Sequence, residues 1–169
     1  MAVVVYIEEA SPPFVALTLN PVALLLGRLS LNVELVVAPQ HSLVVSPNVL
    51  VLQEGRGDRG NLISEGLGFA TRTSGSLGGE LGYHYWWLAR RPLHGAFLGP
   101  SFLAGSTTNA SVGDPSRAQA YWGGAFDVGG QEVLPGGFTI GGGLGLGVVK
   151  MADALAVYPR LLAQVGWSF

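Results

Sequence analysis

The sequence predicts an all-β chain, a closed antiparallel eight-stranded transmembrane β-barrel. Three observations carry that prediction. Apolar residues recur at every second position in one run after another, the period of a strand with two different faces. The alternate positions hold Gly, Ser, Asn and Gln with a few isolated charges. The chain as a whole is poor in charge, at 12% Asp, Glu, Lys and Arg, against about 25% in an ordinary soluble domain. In a soluble barrel the outward face is charged and the apolar face points inward. In a membrane barrel the polarity is inverted. Lys150 is the only lysine in the chain, so a lysine-rich wetted face cannot be built.

The elements follow in order. Residues 1–13, MAVVVYIEEASPP, form an N-terminal segment ahead of the barrel at 14–169. This start has no basic region and meets Glu8 and Glu9 early, so it is not read as a signal peptide. A strand is expected over 14–20, with Val15, Leu17 and Leu19 opposing Ala16, Thr18 and Asn20. The following NPVALLLG either extends that strand or turns it. Leu29, Leu31, Val33, Leu35 and Val37 oppose Arg28, Ser30, Asn32 and Glu34 in the next strand. APQH makes a tight hairpin to a run in which Leu43, Val45, Val49 and Val51 alternate with Val44, Ser46, Asn48 and Leu50. In GSLGGELGYHYWW, Leu77, Leu81, Tyr83, Tyr85 and Trp87 oppose Ser76, Glu80 and His84.

Parity is weaker in AFLGPSFLAG, where Ala96, Leu98, Phe102 and Ala104 make the better apolar face. Ala120, Trp122, Phe126 and Val128 then oppose Gln119, Tyr121 and Asp127. GGFTIGGGLGLGVVK carries Phe138, Ile140, Leu144, Leu146 and Val148 on one parity and mostly glycine on the other. An eight-stranded barrel is only just wide enough for its interior side chains. Glycine on the lumen face makes room there for larger neighbours such as Tyr121 or Arg160. On this reading Leu144→Arg blocks assembly, while Gly143→Ala is milder. The last run sets Leu161, Ala163, Val165, Trp167 and Phe169 against Arg160, Gln164, Gly166 and Ser168.

The connections alternate in length. APQH, LARRPLHG and GGQEVLPGG are short or moderate, whereas 54–74 and 106–117 are longer, polar and rich in turn formers. With Phe169 at the periplasmic side, the two long loops face outside. Tyr83, Tyr85, Trp86, Trp87 and Trp167 then lie at a membrane interface, the level that aromatic rings favour. Trp122 is assigned to the interface aromatics as well.

Length allows one domain with a sizeable core. A net charge of −2 and the absence of a basic patch argue against a nucleic-acid partner. Cysteine is absent, which removes disulfide and thiol chemistry. No run is long and uniformly apolar enough for a membrane-spanning helix. Three scattered histidines without a metal-ligand spacing predict no metal site, and no cofactor is expected. The glycine run lacks the spacing of a phosphate loop or a dinucleotide fingerprint. RGD at 56–58 and the NAS triplet at Asn109 are read as chance matches. The charged side chains with inward parity, Arg28, Glu34, Glu80, His84, Asp127 and Arg160, are expected to form a polar network in the lumen, since charges there must pair or keep water. Glu80 and His84 are four apart on one face, but spacing ties no nucleophile to them.

The chain end, LLAQVGWSF, resembles the C-terminal signal of bacterial outer-membrane β-barrel proteins, with Val165, Trp167 and the terminal Phe169 in its pattern. LNPVALLLGRLSLNVELVV, GGELGYHYWW and GAFLGPSFLAG also resemble small outer-membrane barrels related in architecture to the OmpA transmembrane domain. The resemblance covers most of 14–169. It implies a Gram-negative outer-membrane location, contact with outer-membrane lipid and lipopolysaccharide, and reading of the chain end by the barrel assembly machinery. It leaves room for an envelope or surface protein partner. It implies no catalytic residues. Enzymes of this class that act on lipid A need a His, a Ser and an acid near the outer leaflet, whereas His41, His84 and His94 all fall toward the periplasmic side. A structural or loop-mediated role is therefore expected rather than an enzyme, with a narrow pore and a soluble lipocalin-like carrier as alternatives.

Overall fold

A computed structural model describes residues 12–25, 28–50, 73–89, 91–109 and 117–169. Most of the N-terminal segment, the RGD tripeptide, the loop residues 51–72 and 110–116, and Arg90 lie outside the described residues.

The strands are β1 (Val15–Leu19), β2 (Arg28–Ala38), β3 (His41–Leu50), β4 (Thr73–Tyr85), β5 (Gly95–Asn109), β6 (Arg117–Val133), β7 (Phe138–Met151) and β8 (Ala154–Ser168). Each is hydrogen-bonded to its neighbours in chain order, and β8 returns to β1 to close an antiparallel barrel. The closing seam pairs Ala16 with Ser168 and Leu19 with Val165. Phe14 N–H also donates to the Phe169 carbonyl oxygen at 2.6 Å. Closure leaves no open sheet edge.

One stretch that the sequence left open is resolved as a turn. Residues Pro21–Leu25 form a one-turn helix, α1. Asn20 caps it, accepting the Ala23 N–H on Oδ1 at 2.9 Å, and Pro21 supplies the preset φ of a first helical position. Several strands run further than their alternation suggested. β5 reaches Asn109, which pairs with Arg117 of β6, and β6 reaches Val133, because Gly129 and Gly130 pair in register and carry the ladder past the apolar run.

The barrel has two unlike ends. At one, the turn end, lie the tight turn at 39–40, the connection 86–94, the turn at 134–137 and the two ends of the barrel chain. Gly136 and Gly137 have φ of +86° and +82°, a conformation that glycine adopts without strain. At the other, the loop end, lie α1 and the turn at 152–153, and there the chain leaves β3 and β5 and re-enters β4 and β6.

The two faces of the wall differ as the alternation predicts. Eleven of the buried side chains are polar or charged and five are apolar among the described residues, so the interior is not an ordinary hydrophobic core. Leu77, Leu144, Leu146, Leu155 and Val157 stand outward, each 64–70% exposed. The glycines of β7 serve the purpose expected of them. A Cβ at Gly147 would lie 2.5 Å from the Tyr158 ring, and one at Gly145 would collide with the Asp127 carboxylate. Gly143 is fitted against backbone. A Cβ there would strike the backbone carbonyl of Val128 on β6. Backbone in a ladder cannot swing aside, so Gly143→Ala carries an overpacking cost, though one still smaller than that expected of Leu144→Arg.

Candidate functional site

The lumen holds the charged side chains that parity assigned to it, and their hydrogen bonds and ion pairs gather at three levels stacked along the barrel.

Nearest the loop end, Arg28 donates from Nη2 to Asn48 Oδ1 at 3.0 Å, across the β2–β3 pair. In the middle, Arg160 of β8 reaches across to β4. Its Nη2 meets both Glu80 oxygens, at 2.9 and 2.7 Å. Its Nη1 donates to Ser101 Oγ at 3.1 Å and lies 3.4 Å from Asp127 Oδ2. One guanidinium thus ties together β4, β5, β6 and β8. Arg160 and Glu80 keep 12% and 16% of their side-chain surface accessible, so the cross-link is partly solvated. Asp127 Oδ1 is buried and has no hydrogen-bond partner among the described residues. Around this level Gly78 and Gly105 make space for the Tyr121 ring, since a Cβ on either would run into its hydroxyl.

The third group lies at the turn end. Glu34 Oε1 accepts from Ser42 Oγ at 2.5 Å and is paired with His84 Nδ1 at 2.8 Å. Ser42 Oγ in turn accepts the Trp86 indole N–H at 2.9 Å. The His84 ring stacks on Phe97 with centroids 4.0 Å apart, and Phe97 packs against Trp86 at 5.2 Å. Trp86, Phe97 and Leu93 are 0–1% exposed, and with Ala16 they form the apolar cluster inside the barrel. Each polar atom of this chain satisfies the next, which is the condition for burying them without a large penalty.

Ser, His and an acid are therefore together, but not in the order of an acyl-transfer site. The Ser42 hydroxyl is bonded to the carboxylate rather than to the imidazole, so the His84 ring is not placed to take its proton as in a Ser-His-acid triad. Ser42 is also fully buried, with no surface on which a substrate carbonyl could rest. What the group does geometrically is hold Trp86 against Phe97. Glu80 and His84, four apart on one face, engage different partners, Arg160 and Glu34.

Trp86 is a correction. It shares the parity of Gly82 and His84, so it belongs inside the barrel and not with the interface aromatics. The alternation already carried that signal, but the cluster YHYWW draws the eye to one shared level. Phe97 was missed for a similar reason. It sits opposite Ala96 and Leu98 in a run with blurred parity. Leu93 gave no signal at all, because its inward position depends on a left-handed backbone turn, with φ of +59°. That conformation costs a β-carbon-bearing residue about 1–2 kcal/mol. Gln131, also unflagged, supports the turn by donating from Nε2 to the Leu93 carbonyl at 2.9 Å.

The other aromatics assigned to the interface are on the outside wall. Tyr83 and Tyr85 flank His41 near the turn end, with the Tyr83 hydroxyl 2.5 Å from His41 Nδ1. Trp87 and Trp167 are half exposed at the same end. Trp122 is outward too, but it lies opposite Lys150 toward the loop end. At the chain end Val165 and Trp167 pair with Ile140 and Phe138 of β7, and Phe169 is exposed. No group of three or more His, Asp or Glu is placed to hold a metal ion among the described residues.

Comparisons with protein-family models, with curated proteins and with solved structures find no match to this chain.

Proposed function

We propose that this chain is a bacterial outer-membrane β-barrel, closed at rest, with a structural role in the envelope or an interaction role carried by its loops. The observation that carries this reading is the inverted polarity of the wall. Burying a Leu side chain is worth about 1.5–3 kcal/mol, and this barrel turns row upon row of Leu, Val, Phe and Trp away from its own interior. Acyl chains are the solvent that suits them. A closed barrel also meets the second demand of lipid, that every backbone N–H and C=O in the wall be paired. Strands β2–β8 contain 10–17 residues, and about 9–11 suffice to cross a bilayer when tilted. Tyr83, Tyr85, Trp87 and Trp167 at one level and Trp122 with Lys150 at the other suit the two headgroup regions.

In this reading the turn end is periplasmic and the loop end outside, which makes the residues between β3 and β4 and between β5 and β6 the surface available to a partner. Outer-membrane lipid, lipopolysaccharide and the assembly machinery are the other expected contacts. The soluble carrier fits poorly, since its interior would have to be apolar, and here the interior holds Glu34, His84, Asp127 and Arg160.

The test is folding from urea into detergent, followed by SDS electrophoresis with and without boiling and by far-ultraviolet circular dichroism. A β spectrum and a band that shifts only on boiling are expected. A chain that folds in plain buffer and shows no shift contradicts the reading and turns the search to a soluble ligand.

A further inference from the structure

We propose that Trp86 and Leu93, which follow β4 and precede β5, form a stopper: they seal the turn end of the lumen, and their withdrawal converts the barrel into a conduit for small cations. The inference rests on the membrane reading above and extends it.

The lumen is not uniformly filled. At the level of Arg160 and Glu80 it is polar and partly solvated. Below that level, Trp86, Leu93 and Phe97 have 0–1% exposure, and together with the buried Glu34, Ser42 and His84 they fill the lumen. Phe97 belongs to the wall. Trp86 and Leu93 do not. The β4–β5 ladder ends at Tyr85 opposite Leu98, so both lie on the connection beyond the paired strands. Leu93 lies on a turn folded back onto Ala16, Trp86 and Phe97, and it is fully enclosed.

The connection is anchored near both its ends, and His94 Nε2 also lies 3.6 Å from Glu132 Oε2 of β6. Trp86 N–H donates to the Gln40 carbonyl, the Trp86 indole to Ser42, and Gln131 to the Leu93 carbonyl. Arg91 and His94 form an isolated bridge within the turn. Two backbone features set it apart from the wall. Leu93 takes a left-handed conformation at a position without glycine, a cost paid only while the side chain is seated. Gly95, where the connection joins β5, has φ of +120°, and a Cβ there would strike the Leu88 carbonyl. Glycine at the junction is what allows the chain to double back.

Charge in the lumen decides what would pass. The side chains lining it include the carboxylates of Glu34, Glu80 and Asp127 against the guanidiniums of Arg28 and Arg160. With His84 neutral, three negative charges to two positive ones favour cations in a narrow, low-dielectric path.

The absence of cysteine makes the seat directly measurable. Leu93→Cys should react with a maleimide at least 100-fold more slowly than Gln40→Cys, an exposed turn residue at the same end, in the detergent-folded barrel. Equal rates overturn the stopper, whatever medium surrounds the barrel. In planar bilayers the wild-type chain should be silent or open rarely. The double variant Trp86→Ala/Leu93→Gly should raise open time at least tenfold, with a reversal potential that marks the current as cationic. Heat-modifiability and proteolytic protection of the same preparation confirm that the variant is an inserted barrel. An inserted double variant that stays silent overturns the seal, and an anion-selective current overturns the charge assignment. A chain that does not insert at all overturns the membrane reading and the conduit with it, and the thiol rates still report the seat.

Discussion

In β7, Leu144, Leu146 and Val148 point out of the barrel while Gly143, Gly145 and Gly147 point in, and the two rows answer to different constraints. The outer row is flanked only by its cross-strand neighbours among the described residues, Val128 and Leu161 beside Leu144 and Phe126 and Pro159 beside Leu146; on the proposed membrane reading, its surroundings ask of it only that it be apolar. The inner row is fitted residue by residue. Gly145 faces the Asp127 carboxylate, Gly147 the Tyr158 ring, and Gly143 the carbonyl of Val128. Outside, the proposed lipid medium would be fluid and would take any apolar shape. Inside, the space is fixed by the barrel diameter, and every polar atom needs a named partner. The same strand is therefore tolerant on one side and exacting on the other.

Substitutions that separate the two faces are expected to rank as follows, measured as the shift in urea unfolding midpoint in detergent or vesicles. Arg160→Ala should be the most damaging, at about 3–5 kcal/mol, because it strands Glu80 and Asp127 without their shared cation. A loss below about 1 kcal/mol would mean that the cross-link is fully hydrated and structurally idle. Leu144→Arg, on the outer face, should cost about 2–4 kcal/mol if Leu144 lies near the middle of the bilayer. A neutral result would remove lipid from that face. Gly143→Ala should cost about 1–3 kcal/mol through overpacking against backbone that cannot yield. Leu146→Met should change stability by less than about 0.5 kcal/mol, and a larger loss would reveal a specific partner for an outer residue.

Much of this was legible in the sequence, and the reason is the period of two. Parity alone places Leu77, Trp122 and Leu144 outside and Arg28, Glu34, Glu80, His84, Asp127 and Arg160 inside. It does not say which inward charges meet, because that depends on register across strands distant in the chain. Glu34 and His84 meet because Val44 lies opposite Glu34 and Gly82 opposite Val44, which brings β2 and β4 to one level through β3. Arg160 reaches Glu80 across the lumen rather than along the sheet, and no sequence spacing encodes that. Leu93 was hidden more deeply, because a left-handed leucine has no compositional mark. The helix at Pro21–Leu25 rests on Asn20 and Pro21, a cap and a first-turn residue present in the sequence but outweighed by the apolar run that follows.

The inverted polarity of the wall can be tested with two tryptophans in vesicles of lipid brominated on the acyl chains. One chain keeps Trp86 alone, with Trp87, Trp122 and Trp167 changed to Phe. The other changes Trp86 to Phe as well and carries Leu144→Trp. Bromine quenches only what it touches. The account predicts strong quenching at position 144 and little at Trp86. Quenching of Trp86 with none at position 144 would mean that the apolar face does not meet lipid, and would contradict it.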